Sequence, residues 1–186
     1  MKLNLGCGNH KLPGYTNVDL SPVCYPDIVC DLELTPWPWP ADSVDTALFN
    51  HSLEHLGRDP DVFLAIIKEL YRVCQDGAEV LVNVPHPRHD HFLNDPTHVR
   101  PITADVFVLF SKKQNREWAA TGIANSPLAQ YLDVDFEIVE AEYVLDERYR
   151  EKFSSGRIPP EEMNDLIRER NNIVLEIRMT MVVIKS

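Results

Sequence analysis

A chain of 186 residues, 44% hydrophobic and 25% charged, has the length and composition of one soluble domain with a substantial buried core. The formal net charge of -11 argues against tight nucleic-acid binding, which needs Lys and Arg clustered on the phosphates. No run approaches the ~18 apolar residues of a membrane span, so the expected partner is a small molecule, with neither nucleic acid nor membrane involved.

Leu3 and Leu5 alternate as in a short strand, which runs straight into Gly6-Cys7-Gly8. Glycine accepts φ > 0 and lets another molecule approach the backbone closely. A strand ending in such a turn near the N-terminus of an α/β sheet builds a ligand crevice at the carboxyl edge, with a plain turn as the competing reading. Gly6, Asn9, His10 and Lys11 also interrupt any apolar run of the signal-peptide type. After the turn signal Pro13-Gly14, Thr16–Leu20 reads as a second strand with Asp19 near its end. A dinucleotide fingerprint would need a third glycine where Lys11 stands. Only ten residues separate Gly8 from Asp19, too few for a turn, a helix and a returning strand, so a nicotinamide cofactor is disfavoured.

Pro26–Leu32 is a third strand candidate, apolar inside and acidic at its end through Asp31. Pro36-Trp37-Pro38-Trp39-Pro40 can be neither helix nor central strand, and its tryptophans either cover the sheet or line a site. Ser43–Asn50 reads as a central strand, followed at once by His51-Ser52-Leu53-Glu54-His55. Asp59-Pro60 starts a helix, Phe63, Ile66, Ile67, Leu70, Val73 and Cys74 keep helical spacing, and Gly77 is expected to close it. Val80–Val84 is a buried strand ended by Pro85, and residues 86–101 form a polar loop long enough to suggest a function. Thr103 is expected to cap a short helix. Phe136–Leu145 and Asn172–Ile184 read as strands flanking a helical insert at about 147–171, with its clearest helix over Pro160–Arg170. Strands alternating with connectors and helices predict an α/β domain on a mostly parallel sheet. Cys7, Cys24, Cys30 and Cys74 lack CxxC spacing and read as reduced thiols, which places the chain in the cytoplasm.

Taken together, Leu3-Asn4-Leu5-Gly6-Cys7-Gly8, Val18-Asp19, Asp31-Leu32 and Pro38–Asp45 before Leu53-Glu54-His55-Leu56 resemble the class I S-adenosylmethionine-dependent methyltransferases. The likeness is to the branch carrying LEHL, by motif over about residues 2–85 and by strand order beyond. It implies a Rossmann-like, doubly wound three-layer sandwich whose last strand is antiparallel, here with the first helix reduced to a turn around Pro13-Gly14. It implies S-adenosylmethionine as cofactor. Leu5, Gly6, Cys7 and Gly8 would pass under its methionine part, and Asp19 with Leu20 would hold the ribose. Asp31 and Leu32 would meet the adenine, and Asn50 and His51 would flank the transferred methyl. The Asn/Asp-Pro-Pro-Tyr type motif of amino-directed nucleic-acid methyltransferases is absent after the fourth strand, where Asn50-His51-Ser52-Leu53 stands.

All seven histidines, His10, His51, His55, His86, His89, His91 and His98, fall on loops that can converge on one mouth. Two roles are open to them: a neutral imidazole taking the proton of an acceptor hydroxyl, or metal ligation with carboxylates such as Asp90 and Asp95. The spacing of His86, His89 and His91 suits no strong metal motif, so no metal is expected. His51 is read as the pocket floor and His86 or His91 as the base, oriented by Glu54 or Asp90. The expected activity is methyl transfer to a small-molecule or sugar-type acceptor, with oxygen favoured. The alternative is a methyltransferase-fold binding or partner domain without catalysis, which the shortened first crossover favours.

Overall fold

The structure, a computed structural model, describes residues 1–185. Seven strands form one sheet: β1 (Lys2–Leu5), β2 (Thr16–Asp19), β3 (Ile28–Val29), β4 (Val44–Asn50), β5 (Cys74–Pro85), β6 (Phe136–Leu145) and β7 (Val174–Val183). Their spatial order is β3-β2-β1-β4-β5-β7-β6. The first five are parallel, and β7 runs antiparallel to both β5 and β6. This is the mostly parallel α/β sheet that the strand pattern predicts, with the reversed last strand that the resemblance implies.

Register places Leu3 beside Ala47 and Leu5 beside Phe49, then carries the same face on through Val80, Val82 and Val84 to Met181, Met179 and Ile177. Because side chains alternate along a strand, these residues make one continuous apolar face, and all are buried. Helix α1 (Pro60–Val73) covers it with Phe63, Ile66, Ile67, Leu70 and Val73. Asp59 caps that helix by accepting the Asp61 amide, and Pro60 occupies the first turn, where a missing N–H costs nothing. The tryptophans of the proline-rich connector belong to this core. Trp37 and Trp39 are buried edge-to-face at 5.9 Å, the Trp37 indole donates to the Leu32 carbonyl, and Arg72 donates to both their carbonyls.

The expected end of α1 is corrected. The Cys74 amide closes the helix onto Leu70, and the chain enters β5 at once, with Gly77 inside the strand at φ +75°. Cys74 is fully buried, and a buried apolar residue fits a helix period and a strand period equally well. A register shift opposite Val44–Thr46 absorbs the extra residues.

On the second face the helical layer is thinner than the resemblance implies. Between β1 and β4 there is no α-helix, only a 3-10 turn at Pro22–Cys24. Over β1 and β2 a polar network takes the helix's place. Asn4 donates to the His10 carbonyl and to Asn17, Leu12 donates its amide to Asn17, and Asn17 donates to Asp27. Two buried amide side chains thus pin a short loop, which satisfies their own polar groups at the same time. Farther along, Leu48, Leu81, Asn83 and Thr180 are half-buried and Arg178 is exposed.

The remaining helices are α2 (Asp90–Leu93), α3 (Ala104–Val108), α4 (Lys112–Thr121), α5 (Leu128–Leu132), α6 (Glu147–Ser154) and α7 (Pro160–Glu169). The polar segment 86–101 is a folded strap containing α2, not a free loop. Its Val99 and Arg100 amides donate to the Glu54 carbonyl, and the Arg100 guanidinium binds the Gly57 carbonyl over the Phe63 ring. Thr103 stands at the start of α3 but makes no side-chain cap bond. Helices α6 and α7 have their own small core of Ile158, Met163 and Ile173. Arg88 ties that insert to the end of β5 by donating to the Ile167 and Arg168 carbonyls. Among the described residues no helix is long and apolar enough to cross a membrane.

Candidate functional site

The carboxyl ends of β1, β2, β3 and β4 surround a cleft of about 460 Å³, lined by Gly6, Gly8, Asp19, Leu20, Asp31, Leu32 and His51 among others. That volume suits a drug-sized or nucleoside-sized ligand. Gly6 and Gly8 both take positive φ, so the chain turns sharply out of β1. The Gly6 and Cys7 amides close the turn onto the Val18 carbonyl, and the Gly8 amide donates to Asp19 at 2.7 Å. The other oxygen of Asp19 accepts the Ser21 amide at 2.8 Å. Both oxygens are therefore aimed, and each keeps a further lone pair for a ligand hydroxyl. Asp31 is oriented similarly by the Glu33 amide, with Leu32 buried beside it.

Ser52 locks the glycine turn to the end of β4, its hydroxyl donating to the Leu5 carbonyl at 2.6 Å. A Cβ on Gly6 would stand 2.4 Å from the Ser52 Cβ, whereas one on Gly8 would meet nothing within 4 Å. Gly6→Ala is therefore expected to lose about 2–4 kcal/mol of stability, from overpacking and positive φ together. Gly8→Ala is expected to lose about 1–2 kcal/mol from φ alone. Urea unfolding of the two variants checks the difference, and equal losses would dissolve the role given to Ser52.

Of the other residues expected at the cofactor, Leu5 is core and Cys7 is buried behind the turn, where burial and the nearby Asp19 carboxylate push its thiol pKa up. Asn50 points to the second face, since its neighbour Phe49 faces the core, and its side chain accepts from Asn83.

The histidines do not converge on one mouth. His51, His55 and His98 gather around Glu54, while the His86 ring packs on Tyr143 of β6, His89 meets Asp146, and the His91 ring packs on His89. His51 follows β4 at φ +53°, and its Nε2 is 2.6 Å from Glu176 of β7, a partner invisible in local sequence. Its Nδ1 lies 3.8 Å from Glu54. Glu54 is 1% exposed, and neither of its carboxylate oxygens has a hydrogen-bond partner. Burial pushes its pKa up to about 7, with the charges of Asp95 and Glu176 adding to the shift. Burial and the neighbouring His98 lower the pKa of His55, which lines the cleft.

His86 and His91, expected as alternative bases, do not line the cleft. The His86 ring packs edge-to-face on Tyr143, and its Nδ1 accepts the Arg88 amide. His89 accepts the His91 amide and meets Asp146 at 3.4 Å. Asp90 donates its amide to Asn172 at the foot of β7. The reason is the insert, whose return to β7 draws the first half of the strap outward.

His86 is 9% exposed, and burial, aided by the Arg88 and His89 charges, lowers its pKa to about 4. Between pH 6.5 and 4 the unfolded chain binds this proton and the folded chain does not, so stability is full above pH 6.5 and falls with pH. The expected loss across that window is about 2–3 kcal/mol. His86→Asn keeps an acceptor for Arg88 and removes the titration, so its stability should stay flatter over the window. An unchanged acid loss in that variant would assign the proton to another group.

No family profile matches the sequence, and no curated protein matches it. Solved structures match in fold. A SAM-dependent methyltransferase from Archaeoglobus fulgidus aligns at TM-score 0.64 and 16% identity, over 97% of this chain and 84% of that one. A SAM-dependent methyltransferase from Methanosarcina mazei aligns at 0.58 and 15%, over 99% and 92%. The 1,6-didemethyltoxoflavin-N1-methyltransferase of Burkholderia thailandensis, solved with bound 1,6-didemethyltoxoflavin and S-adenosylhomocysteine, aligns at 0.51 and 13%, over 98% and 70%. At such identities the likeness is one of fold. The chain has the Rossmann-like fold of the SAM-dependent methyltransferases.

Proposed function

We propose that the chain is an S-adenosylmethionine-dependent methyltransferase, acting in the cytoplasm on a small-molecule or sugar-type acceptor, at oxygen. The observation that carries the reading is the bond from the Gly8 amide to Asp19, which joins the turn after β1 to the acid after β2 at the floor of the cleft. Carboxylates only accept hydrogen bonds, and a ribose diol has two to donate, so Asp19 suits that group. Asp31 and the buried Leu32 suit an adenine, with an acceptor for its amino group and an apolar wall for its ring. When bound, the cofactor supplies a methyl group on a positively charged sulfur.

For the acceptor, the cleft offers His51. Glu176 holds the ring through Nε2, which leaves Nδ1 with the lone pair that takes a hydroxyl proton. The carboxylate then balances the imidazolium, as an orienting acid does for a general base. His51 thus takes the role of base that the sequence pattern assigns to His86 or His91.

Calorimetry with S-adenosylhomocysteine and NADH in parallel tests the reading. Saturable binding of S-adenosylhomocysteine and none of NADH is expected; the reverse pattern would overturn it. A chain that binds neither would be the partner domain without catalysis, a reading favoured by the missing helices between β1 and β4.

A further inference from the structure

We propose that Glu54, His55 and His98 bind one divalent transition-metal ion of the zinc type in the wall of the cleft. One ligand atom from each lies within 4.8 Å of the others. This site does not depend on the methyl-transfer reading, and its ligands are not the loop histidines singled out by spacing.

The argument is a count of donors and acceptors. Glu54 is buried to 1% exposure, and both its oxygens lack a donor. Buried carboxylates without partners are costly and rare. None of the three imidazoles around it supplies the missing donor: His51 gives its ring proton to Glu176 through Nε2, and its Nδ1 stands 3.8 Å from Glu54. His98 Nδ1 is 2.9 Å from the Phe92 carbonyl, which can only accept, so that nitrogen carries the proton and Nε2 carries the lone pair. His55 Nδ1 is 3.0 Å from the Thr97 hydroxyl, and that hydroxyl donates onward to Asp95. The proton of His55 is therefore also on Nδ1, and its Nε2 is the free acceptor. Two nitrogen lone pairs and a buried carboxyl group meet with no donor from the surrounding protein reaching them, which is the donor set of a cation.

The surroundings are those of a ligand shell. Metal-binding imidazoles are held by hydrogen bonds from the second ring nitrogen to a carbonyl or carboxylate, which fix tautomer and ring direction. Phe92 does this for His98 directly, and Asp95 does it for His55 through Thr97. The Glu54 carbonyl accepts the Val99 and Arg100 amides, which holds the segment bearing His98 against the turn bearing Glu54 and His55. The His55 and His98 rings lie edge-to-face at 4.6 Å. Bonds of about 2.0–2.2 Å need ligand atoms about 3.3 Å apart, so atoms that now lie within 4.8 Å of one another draw together on binding. Two histidines and a glutamate leave a coordination position open, and His55 lines the cleft.

The test uses the whole chain, stripped with chelator and titrated with Zn²⁺ by calorimetry and with Co²⁺ by visible absorption. A single equivalent of Zn²⁺ is expected to bind, raising the thermal midpoint, and Co²⁺ should give ligand-field bands of a low-coordinate nitrogen and oxygen site. Glu54→Gln and His98→Ala should each weaken binding by roughly tenfold or more. His10→Ala, on the loop after β1 and outside the cluster, should leave it unchanged. Absence of saturable binding and of a thermal shift in the unaltered protein would overturn the proposal, whatever the variants do. So would binding that both cluster variants retain, or binding lost only on His91→Ala, which would put the ion among the loop histidines. Where a variant does not fold, Co²⁺-induced shifts of the imidazole resonances in the unaltered protein decide the ligands. Signals of His86, His89 and His91 moving in place of His55 and His98 would equally sink the assignment.

Discussion

Asp19→Ala is expected to weaken S-adenosylhomocysteine binding by about 2–4 kcal/mol, or roughly 30- to 800-fold, in titration calorimetry. The loss has two sources. The substitution removes the acceptor for two ligand hydroxyls, each a charge-assisted bond. It also frees the Gly8 and Ser21 amides that Asp19 now holds, which loosens the glycine turn. Asp19→Asn separates these. One amide oxygen remains as acceptor while the charge is gone, so the turn keeps a partner and binding should fall by less. Parallel urea unfolding shows whether the alanine variant loses affinity or merely fold. Affinity unchanged in the alanine variant would remove Asp19 from the ligand, and with it the main support for the cofactor.

What was legible in the sequence is what depends on neighbours in the chain. The turn Gly6-Cys7-Gly8, the acids Asp19 and Asp31, and Leu32 are local events at strand ends, and a parallel sheet lines up its carboxyl ends on one edge. The strand order then follows from few alternatives. The side-chain period also sets the direction of Asn50. With Phe49 turned into the core, Asn50 had to face the other way. What was not legible depends on distant segments. Glu176 reaches His51 across 125 residues, and no periodicity announces such a pairing. The path of His86 and His91 is set by Arg88 donating to the insert and by the Asp90 amide donating to Asn172 at the foot of the return strand. Glu54 and His55 belong to the LEHL motif, but the isolation of Glu54 from donors arises only where Val99 and Arg100 close over it.

The thin second layer has the same origin. A helix between β1 and β2 would need more residues than lie between Gly8 and Thr16, and the chain substitutes Asn4 and Asn17. Those amides bond the loop backbone, which a helix would have satisfied internally. The glycine turn therefore rests on a polar network on one side and on Ser52 on the other. It is fixed from both directions before any ligand arrives, which reduces the ordering cost of binding.

His51→Ala is expected to lower methyl transfer by roughly 10²–10⁴-fold while leaving S-adenosylhomocysteine affinity nearly intact. Transfer of a labelled methyl group to a panel of hydroxylated small molecules measures the first, and calorimetry the second. The split matters because alignment of donor and acceptor alone accelerates such a displacement, so a residue that only shaped the cleft would change binding and turnover together. Glu176→Gln keeps the size of the partner and removes the charge that balances the imidazolium. It should lower turnover less than His51→Ala, and the double variant should be little worse than His51→Ala alone, since residues acting as one unit are not additive. Additive losses would mean that Glu176 acts on something other than His51. Turnover retained in His51→Ala but abolished by chelator would move the activation of the acceptor to the cluster of Glu54, His55 and His98. Turnover that survives both treatments would leave alignment within the cleft as the whole of the catalysis.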